Sequence, residues 1–338
     1  MRDNGLVVAI DGPSGAGKST AGRALAERLG YTYIDTGAMY RALALKASRN
    51  GVSLDEEEAL TTLCRDSSIE LADGGRRVLL DGEDVTSAIR SPETSRGSSL
   101  VSVHPGVRTE MVARQREMGR EGKVVLDGRD IGTTVFPDAE VKFFVDATPG
   151  ERAQRRHEEL RAAGSDVTLE TVEEDVRERD YTDTHRAESP LVRAWDALAL
   201  DTTRLSPEEV LEQMLAAVRA RQGTPIDLGR LAEEHRRSSR RYLEALRSTA
   251  LSVGLYRLPA GAEDEQRPHG EEEVYLVLEG RGRFRMGDDE LEVNPGHLLT
   301  VPPRVEHGFH SITEDLLLLV FFAPAEGTAQ AKAGESPG

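Results

Sequence analysis

Eight residues near the start of the chain, Gly12-Pro13-Ser14-Gly15-Ala16-Gly17-Lys18-Ser19, fit the spacing GxxxxGK[ST] in full. Glycines at this spacing let successive backbone N–H groups turn inward around a phosphate. A helix opening at Thr20 would add its positive end. Lys18 would reach the β- and γ-phosphates of a nucleoside triphosphate, and the Ser19 hydroxyl would hold Mg²⁺. Gly12 to Thr20 are therefore the expected ATP contacts. A phosphate loop alone leaves ATPase, GTPase and kinase open, and the guanine signature NKxD is absent from the sequence.

Arginines and carboxylates then recur in blocks. Asp35-Thr36-Gly37-Ala38-Met39-Tyr40-Arg41 comes first, and Val107-Arg108 precedes the Arg-rich stretch Arg114–Arg120. Asp127-Gly128-Arg129-Asp130-Ile131-Gly132-Thr133 ends an apolar run, and Arg179-Asp180 through Asp183 and Arg186 leads into Pro190-Leu191 and Asp196-Ala197. Arg41, Arg129 and Arg186 are forked, fixed-charge donors suited to a monophosphate.

With the phosphate loop upstream, these blocks over residues 5–220 resemble the bacterial cytidylate kinase (CMP kinase) family. The resemblance implies that Arg41, Arg129 and Arg186 hold the CMP phosphate. It also assigns Ser99, Arg108 and Asp130 to the cytosine, with Ser98 and Ser102 competing for the serine's place, and Thr36 and Asp183 to the ribose region. A carboxylate accepts from the cytosine N4 amine, whereas uracil presents the acceptor O4, so Asp130 would reject UMP. Arg108 would donate to the acceptor edge of the ring. Glu151-Arg152-Ala153-Gln154-Arg155-Arg156 resembles the family's lid helix, whose Arg152 and Arg156 would close over the transferring group. The expected reaction is direct in-line transfer from ATP to CMP, and to dCMP, without a phosphoenzyme. Lys18, Arg129, Arg186, Arg152 and Arg156 are its expected catalytic residues.

The elements that must position these groups alternate short apolar runs with amphipathic stretches, which reads as an α/β fold of the P-loop NTPase type, a parallel sheet with flanking helices. Strands are expected at Leu6–Ile10, Val124–Asp127 and Val141–Val145, with a helix at Thr20–Leu29. Ile69–Leu71 and Val78–Leu80 flank Asp73-Gly74-Gly75 as a hairpin, a small insertion for the monophosphate. Ser206-Pro207-Glu208-Glu209 opens a helix running to about Arg221. This assigns residues 1–222 to the kinase domain, 223–248 to a linker that is helical from about Asp227 to Arg247, 249–324 to a second domain and 325–338 to a disordered tail.

The second domain shows short apolar segments divided by the turns Glu279-Gly280, Gly287-Asp288 and Asn294-Pro295-Gly296, the pattern of a small all-β barrel. Gly261, His269, Glu273 and Gly280, then Gly296, Pro302 and His307, resemble the two cupin motifs. Arg267 stands where metal-binding cupins have the first His, and Arg304 where the second motif usually has Gly. His269, Glu273 and His307 would still form a two-His, one-carboxylate set for iron, manganese or zinc. Metal binding, a metal-free small-molecule pocket and a structural or dimerising barrel all remain open.

Lys and Arg total 43 against 60 Asp and Glu, a net charge of −17 that disfavours nucleic acid over most of the surface. The single cysteine, Cys64, suits a reducing compartment, with cytosol the default, and the apolar run at Leu6–Ile10 is too short for a membrane span or a signal segment. Two other readings stay in view: a P-loop kinase for UMP or shikimate, and a metabolite-sensing regulator with a nucleotide switch.

Overall fold

The computed structural model describes residues 5–162, 164–223, 225–264 and 266–325. In chain order the elements begin with β1 (Val7–Asp11), α1 (Lys18–Leu29), β2 (Thr32–Asp35), α2 (Thr36–Arg49) and α3 (Glu57–Arg65). Next come β3 (Ile69–Ala72), β4 (Arg77–Leu80), β5 (Glu83–Asp84), α4 (Pro92–Val101) and α5 (Pro105–Gly119). β6 (Val124–Gly128), β7 (Val141–Asp146), α6 (Pro149–Ala162), α7 (Leu169–His185), β8 (Leu198–Asp201) and α8 (Pro207–Gln222) follow. The remainder is α9 (Leu228–Arg237), β9 (Tyr242–Arg247), β10 (Ser252–Leu258), β11 (Glu272–Met286), β12 (Asp289–Val293), β13 (Leu298–Val301) and β14 (His307–Ala323). The chain divides into two compact units between Leu211 and Glu212, inside α8.

The first unit is built on a five-stranded sheet in the order β2-β6-β1-β7-β8, every pair parallel. β1 is buried along its whole length, as a central strand with both faces covered must be. Such a sheet places ligands at the carboxyl ends of its strands, and Gly12, Asp35 and Arg129 stand there on or just beyond β1, β2 and β6. The expected hairpin forms: β3 pairs antiparallel with β4, and β5 completes a small sheet. α2 buries Ala38, Met39, Ala42, Leu43 and Ala47 in one cluster with Leu60, Ile69, Val78 and Leu80, which fixes the insertion against the helix that carries Arg41.

The second unit is antiparallel, ordered β12-β11-β14-β10-β9 with β13 on β11. Its core gathers Leu258, Tyr275, Val277, Phe284, Phe309, Leu318 and Phe322. Two expectations change here. Val274–Leu278 and Gly282–Met286 are one strand, β11; Glu279-Gly280 is a register shift and not a turn. Gly280 takes φ 88°, and a Cβ there would lie 2.2 Å from the Asp315 carbonyl oxygen, so glycine is required by close approach as well as by conformation. The helix expected over Asp227–Arg247 ends at Arg237, and Tyr242–Arg247 joins the sheet against β10, burying Leu243 and Ala245. Pairing outweighs the helical preference of Leu-Glu-Ala-Leu-Arg. Ala325, the first residue of the expected tail, is buried; residues 326–338 lie outside the described residues. Among the described residues no helix is long and apolar enough to cross a membrane.

α9 starts at Asp227, whose side chain accepts from the Arg230 N–H at 3.1 Å, and buries Leu231, Ala232 and His235 on one face. His235 Nε2 lies 3.1 Å from the Arg241 carbonyl, and burial holds the imidazole below its ordinary pKa of 6.5. The unfolded chain therefore binds a proton that the folded chain resists, so stability falls as pH drops below 6.5. From pH 7.5 to 5.5 the wild type should lose up to about 1 kcal/mol more than His235→Gln, measured by urea unfolding. Parallel pH dependences for the two proteins would refute this role for the histidine.

Candidate active site

The phosphate loop leaves β1 at Gly12, which takes φ 147°; a Cβ there would meet the Val145 carbonyl oxygen at 1.9 Å. Gly12 is thus locked against β7, and the loop turns back to α1 through Gly17 in the left-handed region. Gly12 and Pro13 sit behind the loop, whereas Ser14 to Thr20 line a cleft of about 650 Å³. Lys18, Arg23, Arg41, Arg90, Arg129, Arg155, Arg156 and Arg179 also line it, against only Asp35, Asp127 and Glu159 among acids. In a chain of net charge −17 this cleft concentrates the opposite sign, which selects anionic ligands.

Lys18 is buried, and its Nζ donates to the Pro13 carbonyl at 2.5 Å. Burial first and the neighbouring Arg129 second push its pKa down to about 7, with Asp127 and Asp183 opposing. Ser19 Oγ donates to Asp127 Oδ2 at 2.6 Å. A hydroxyl and a carboxylate side by side on a phosphate-loop wall are the hard oxygen donors that Mg²⁺ takes, so these residues fit the ion. Asp127 is missing from the sequence-derived site, although a carboxylate closing an apolar strand beside the phosphate-loop strand is a usable signal. Burial, then Asp35, raises its pKa.

The acceptor residues are brought together in two groups. Arg41 donates to Asp35 Oδ2 at 3.0 Å, and Asp35 also caps α2 by accepting from Ala38 N–H. Arg129 donates through Nε to Asp183 Oδ2 at 2.7 Å. Burial alone would raise the Asp183 pKa, but Arg129, with Arg179 and Arg186, more than offsets it and leaves the carboxyl below its ordinary value. Behind them Arg108 is hydrogen-bonded to Asp130, and an Arg186 terminal nitrogen lies 3.7 Å from the other Asp130 oxygen. All three side chains of that second group are buried. Thr36 is buried too, its hydroxyl donating to the Asp127 carbonyl. Ser99 lines an adjoining cavity of about 280 Å³ that shares Ser14, Ser95, Arg156 and Arg179 with the cleft, whereas the serine at Arg108 is Ser102, through its carbonyl oxygen at 3.4 Å.

The lid arginines divide by helix face. Arg152 is buried and its donors are engaged by the Ala147 carbonyl, the Ser14 carbonyl and, bidentately at 2.9 and 2.6 Å, the Asp180 carboxylate. It braces α6 and α7 to the phosphate loop and does not line the cleft. Arg156 lines the cleft and pairs with Glu159. Arg155, absent from the sequence-derived set, also lines it and donates to Thr202, whose hydroxyl in turn donates to the Ala16 carbonyl. Arg179 is the other omission: it is half-buried at the cleft wall, its Nε is enclosed without a hydrogen-bond partner, and burial with Arg129 nearby pushes its pKa down to about 10, with Asp183 opposing. An Arg in a motif block is visible in sequence; an Nε left without an acceptor is not.

In the second unit His269, Glu273 and His307 converge, with ligand atoms all within 4.8 Å of one another. Glu273 Oε2 faces His307 Nε2 at 2.8 Å, His269 Nε2 at 3.1 Å and the Tyr275 hydroxyl at 2.9 Å, while Oε1 is buried with no hydrogen-bond partner. His307 Nδ1 sits 2.8 Å from the Val305 carbonyl, which directs Nε2 to the cluster. Arg267 is exposed, and Gln266 takes the inward place, accepting from Tyr275 at 2.8 Å. The charge at the first-His position of the motif thus lies in solvent. Oxygen and imidazole donors in this number suit a divalent transition metal with open positions.

The cytidylate kinase family model matches residues 8–220, and the cupin domain model matches residues 254–322. Over 219 residues the chain is 53% identical to the cytidylate kinase of Syntrophotalea carbinolica, covering 64% of this chain and 93% of that one. It is 52% identical over 220 residues to that of Geobacillus kaustophilus, covering 64% and 98%. Among solved structures, the RmlC-like cupin from Shewanella frigidimarina aligns at a TM-score of 0.25 and 23% identity, covering 26% of this chain and 78% of that one.

Removing the Arg152 guanidinium would leave Asp180 and the Ser14 carbonyl without their donor. Arg152→Ala should cost about 2–3 kcal/mol, below the full penalty of a broken buried pair because Asp180 is partly exposed. Urea unfolding measures it, and a midpoint equal to wild type would refute the bracing role.

Proposed function

The chain belongs to the cytidylate kinase family through residues 8–220, and on that premise we propose that it transfers the γ-phosphoryl group of ATP in line to the phosphate of CMP and of dCMP. The observation that carries this reading is the Arg179 guanidinium, whose Nε is buried without a hydrogen-bond partner, beside Arg129 and Lys18 on the cleft wall. Three cations confined at one place in low dielectric repel one another, and bound phosphates relieve that repulsion. Charge spreading over the transferring group meets these fixed donors, with Arg155 and Arg156 on the lid side. Ser19 and Asp127 would hold Mg²⁺, which would supply neutralising positive charge at the triphosphate. Arg41 and Arg129 orient the acceptor phosphate, which is already anionic, so no strong general base is needed.

Asp130 and Arg108 supply the base reading. The carboxylate accepts from the cytosine amine and the guanidinium donates to the acceptor edge, while a uracil O4 would face Asp130 oxygen to oxygen. Arg186 bridges this pair to the phosphate group, and Asp183 serves the ribose. The lone, buried Cys64 suits a reducing cytoplasmic setting. We take the kinase domain to end within α8 and the second domain to include β9 and to reach at least Ala325.

For the second unit we propose a divalent metal site of His269, Glu273 and His307, on the strength of the partnerless Glu273 Oε1. A buried carboxylate oxygen left without a donor is costly, and a cation would satisfy it. Its role beside the kinase is a linked or regulatory step.

A coupled ADP-release assay with ATP/Mg²⁺ should show turnover with CMP and dCMP and little with UMP. Asp130→Ala should lower kcat/KM for CMP by about 100-fold, the loss expected when a buried polar match to the base is removed. Equal rates for CMP and UMP would overturn the acceptor assignment. Titration of the full chain with Mn²⁺ alone should give one site per chain that Glu273→Gln abolishes; retained binding in that variant would remove the metal reading.

A further inference from the structure

The end of β1 carries a carboxylate that phosphoryl transfer does not use. Asp11 is 4% exposed and lies opposite Gly128 in the β1–β6 register. Its two oxygens accept from the Ile131 and Gly132 N–H groups, each at 2.7 Å. Those amides lead a single wide helical turn, Ile131–Val135, that follows directly on Arg129 and Asp130. Leading amides of a helical turn have no acceptor within the turn, and Asp130 at its head gives no side-chain cap. Asp11 provides that cap from a neighbouring strand.

Stability alone is a poor reason for this carboxylate. Burial pushes its pKa up to about 6, with the two backbone hydrogen bonds opposing, so the ionised form is held at a cost to the fold. The geometry around it has little slack. The next residue is Gly12, locked against Val145, and a Cβ on Gly132 would lie 3.3 Å from Asp11 Oδ2 and 3.1 Å from Lys142 Cδ. The contact is therefore a rigid link between the root of the phosphate loop and the turn that bears Arg129 and Asp130.

We infer that Asp11 is a positioning residue that sets the acceptor-holding turn relative to the donor's phosphate loop. The inference rests on the CMP kinase reading above. A displaced turn moves Arg129 and Asp130, which hold the acceptor, and leaves the amides of the phosphate loop in place. The acceptor's constants should change and those of ATP should not.

Asp11→Asn keeps the shape but turns an amide NH₂ toward one backbone N–H. In the full chain its KM for CMP should rise about tenfold, the loss of one charge-assisted hydrogen bond, with a smaller CMP-to-UMP preference. Its KM for ATP should stay within about twofold, since those contacts are not altered. Gly132→Ala presses on the same contact from the other side and should raise the CMP constant in the same direction. It decides the matter alone if Asp11→Asn fails to show wild-type near-ultraviolet circular dichroism. An unchanged CMP constant in a folded variant, or an equal rise for ATP, overturns the inference while wild-type phosphorylation of CMP keeps the kinase reading. A wild-type chain inactive toward CMP overturns both.

Discussion

Guanidinium groups held by carboxylates are the interaction on which the first unit depends. Arg41 is paired with Asp35, Arg129 with Asp183, Arg108 and Arg186 with Asp130, and Arg152 with Asp180. Without the acids, cations packed this closely would repel one another through a low-dielectric interior. With all of them fully satisfied, the cleft would have no pull on a phosphate. The arrangement lies between these limits, because Arg179 keeps an unpartnered Nε and one Arg186 terminal nitrogen has no hydrogen bond. Each carboxylate also fixes a rotamer, so the donors are oriented before any nucleotide arrives and less order is lost on binding.

The same pairing explains which parts of the site were legible in the sequence. Motif blocks give the identity and order of Arg41, Arg129, Asp130 and Arg186, and the structure places Arg129 and Asp130 just beyond β6, Arg41 on α2 and Arg186 at the end of α7. Sequence cannot say which member of a run faces the cleft. Arg152, Arg155 and Arg156 lie within five residues on α6, where each step rotates a side chain by about 100°. Only the position of α7 and Asp180 decides that Arg152 turns inward. Ser99 and Ser102 differ by one helical turn in the same way. The role of Asp11 is not legible because an acid at a strand end looks the same whether it caps a solvent loop or accepts from buried amides.

In the second unit the limits were backbone ones. A Glu-Gly pair between two apolar runs signals a hairpin, yet here the glycine relieves a close approach and the strand continues through it. Tyr242–Arg247 has helix-forming residues, and pairing with β10 overrides them because it buries Leu243 and Ala245. Near the cluster of His269, Glu273 and His307 a single position mattered: Gln266 and not Arg267 reaches Tyr275. Neighbouring residues in extended chain point to opposite sides, so a spacing match that places a charge at a ligand position can be one residue from placing it in solvent.

Donor and acceptor chemistry in the first unit share a small piece of backbone. β1 ends in the phosphate loop and β6 ends in the acceptor turn, and the two strands are hydrogen-bonded neighbours with Asp11 opposite Gly128. On the proposed reading, the distance between the two phosphate sites is set by the spacing of adjacent strands in a parallel sheet, about 5 Å, and not by a flexible loop. In-line transfer between two anions needs little more than correct placement and fixed positive charge. A parallel sheet that brings Lys18 and Arg129 to neighbouring strand ends meets the first requirement through its hydrogen-bond register. The paired arginines meet the second.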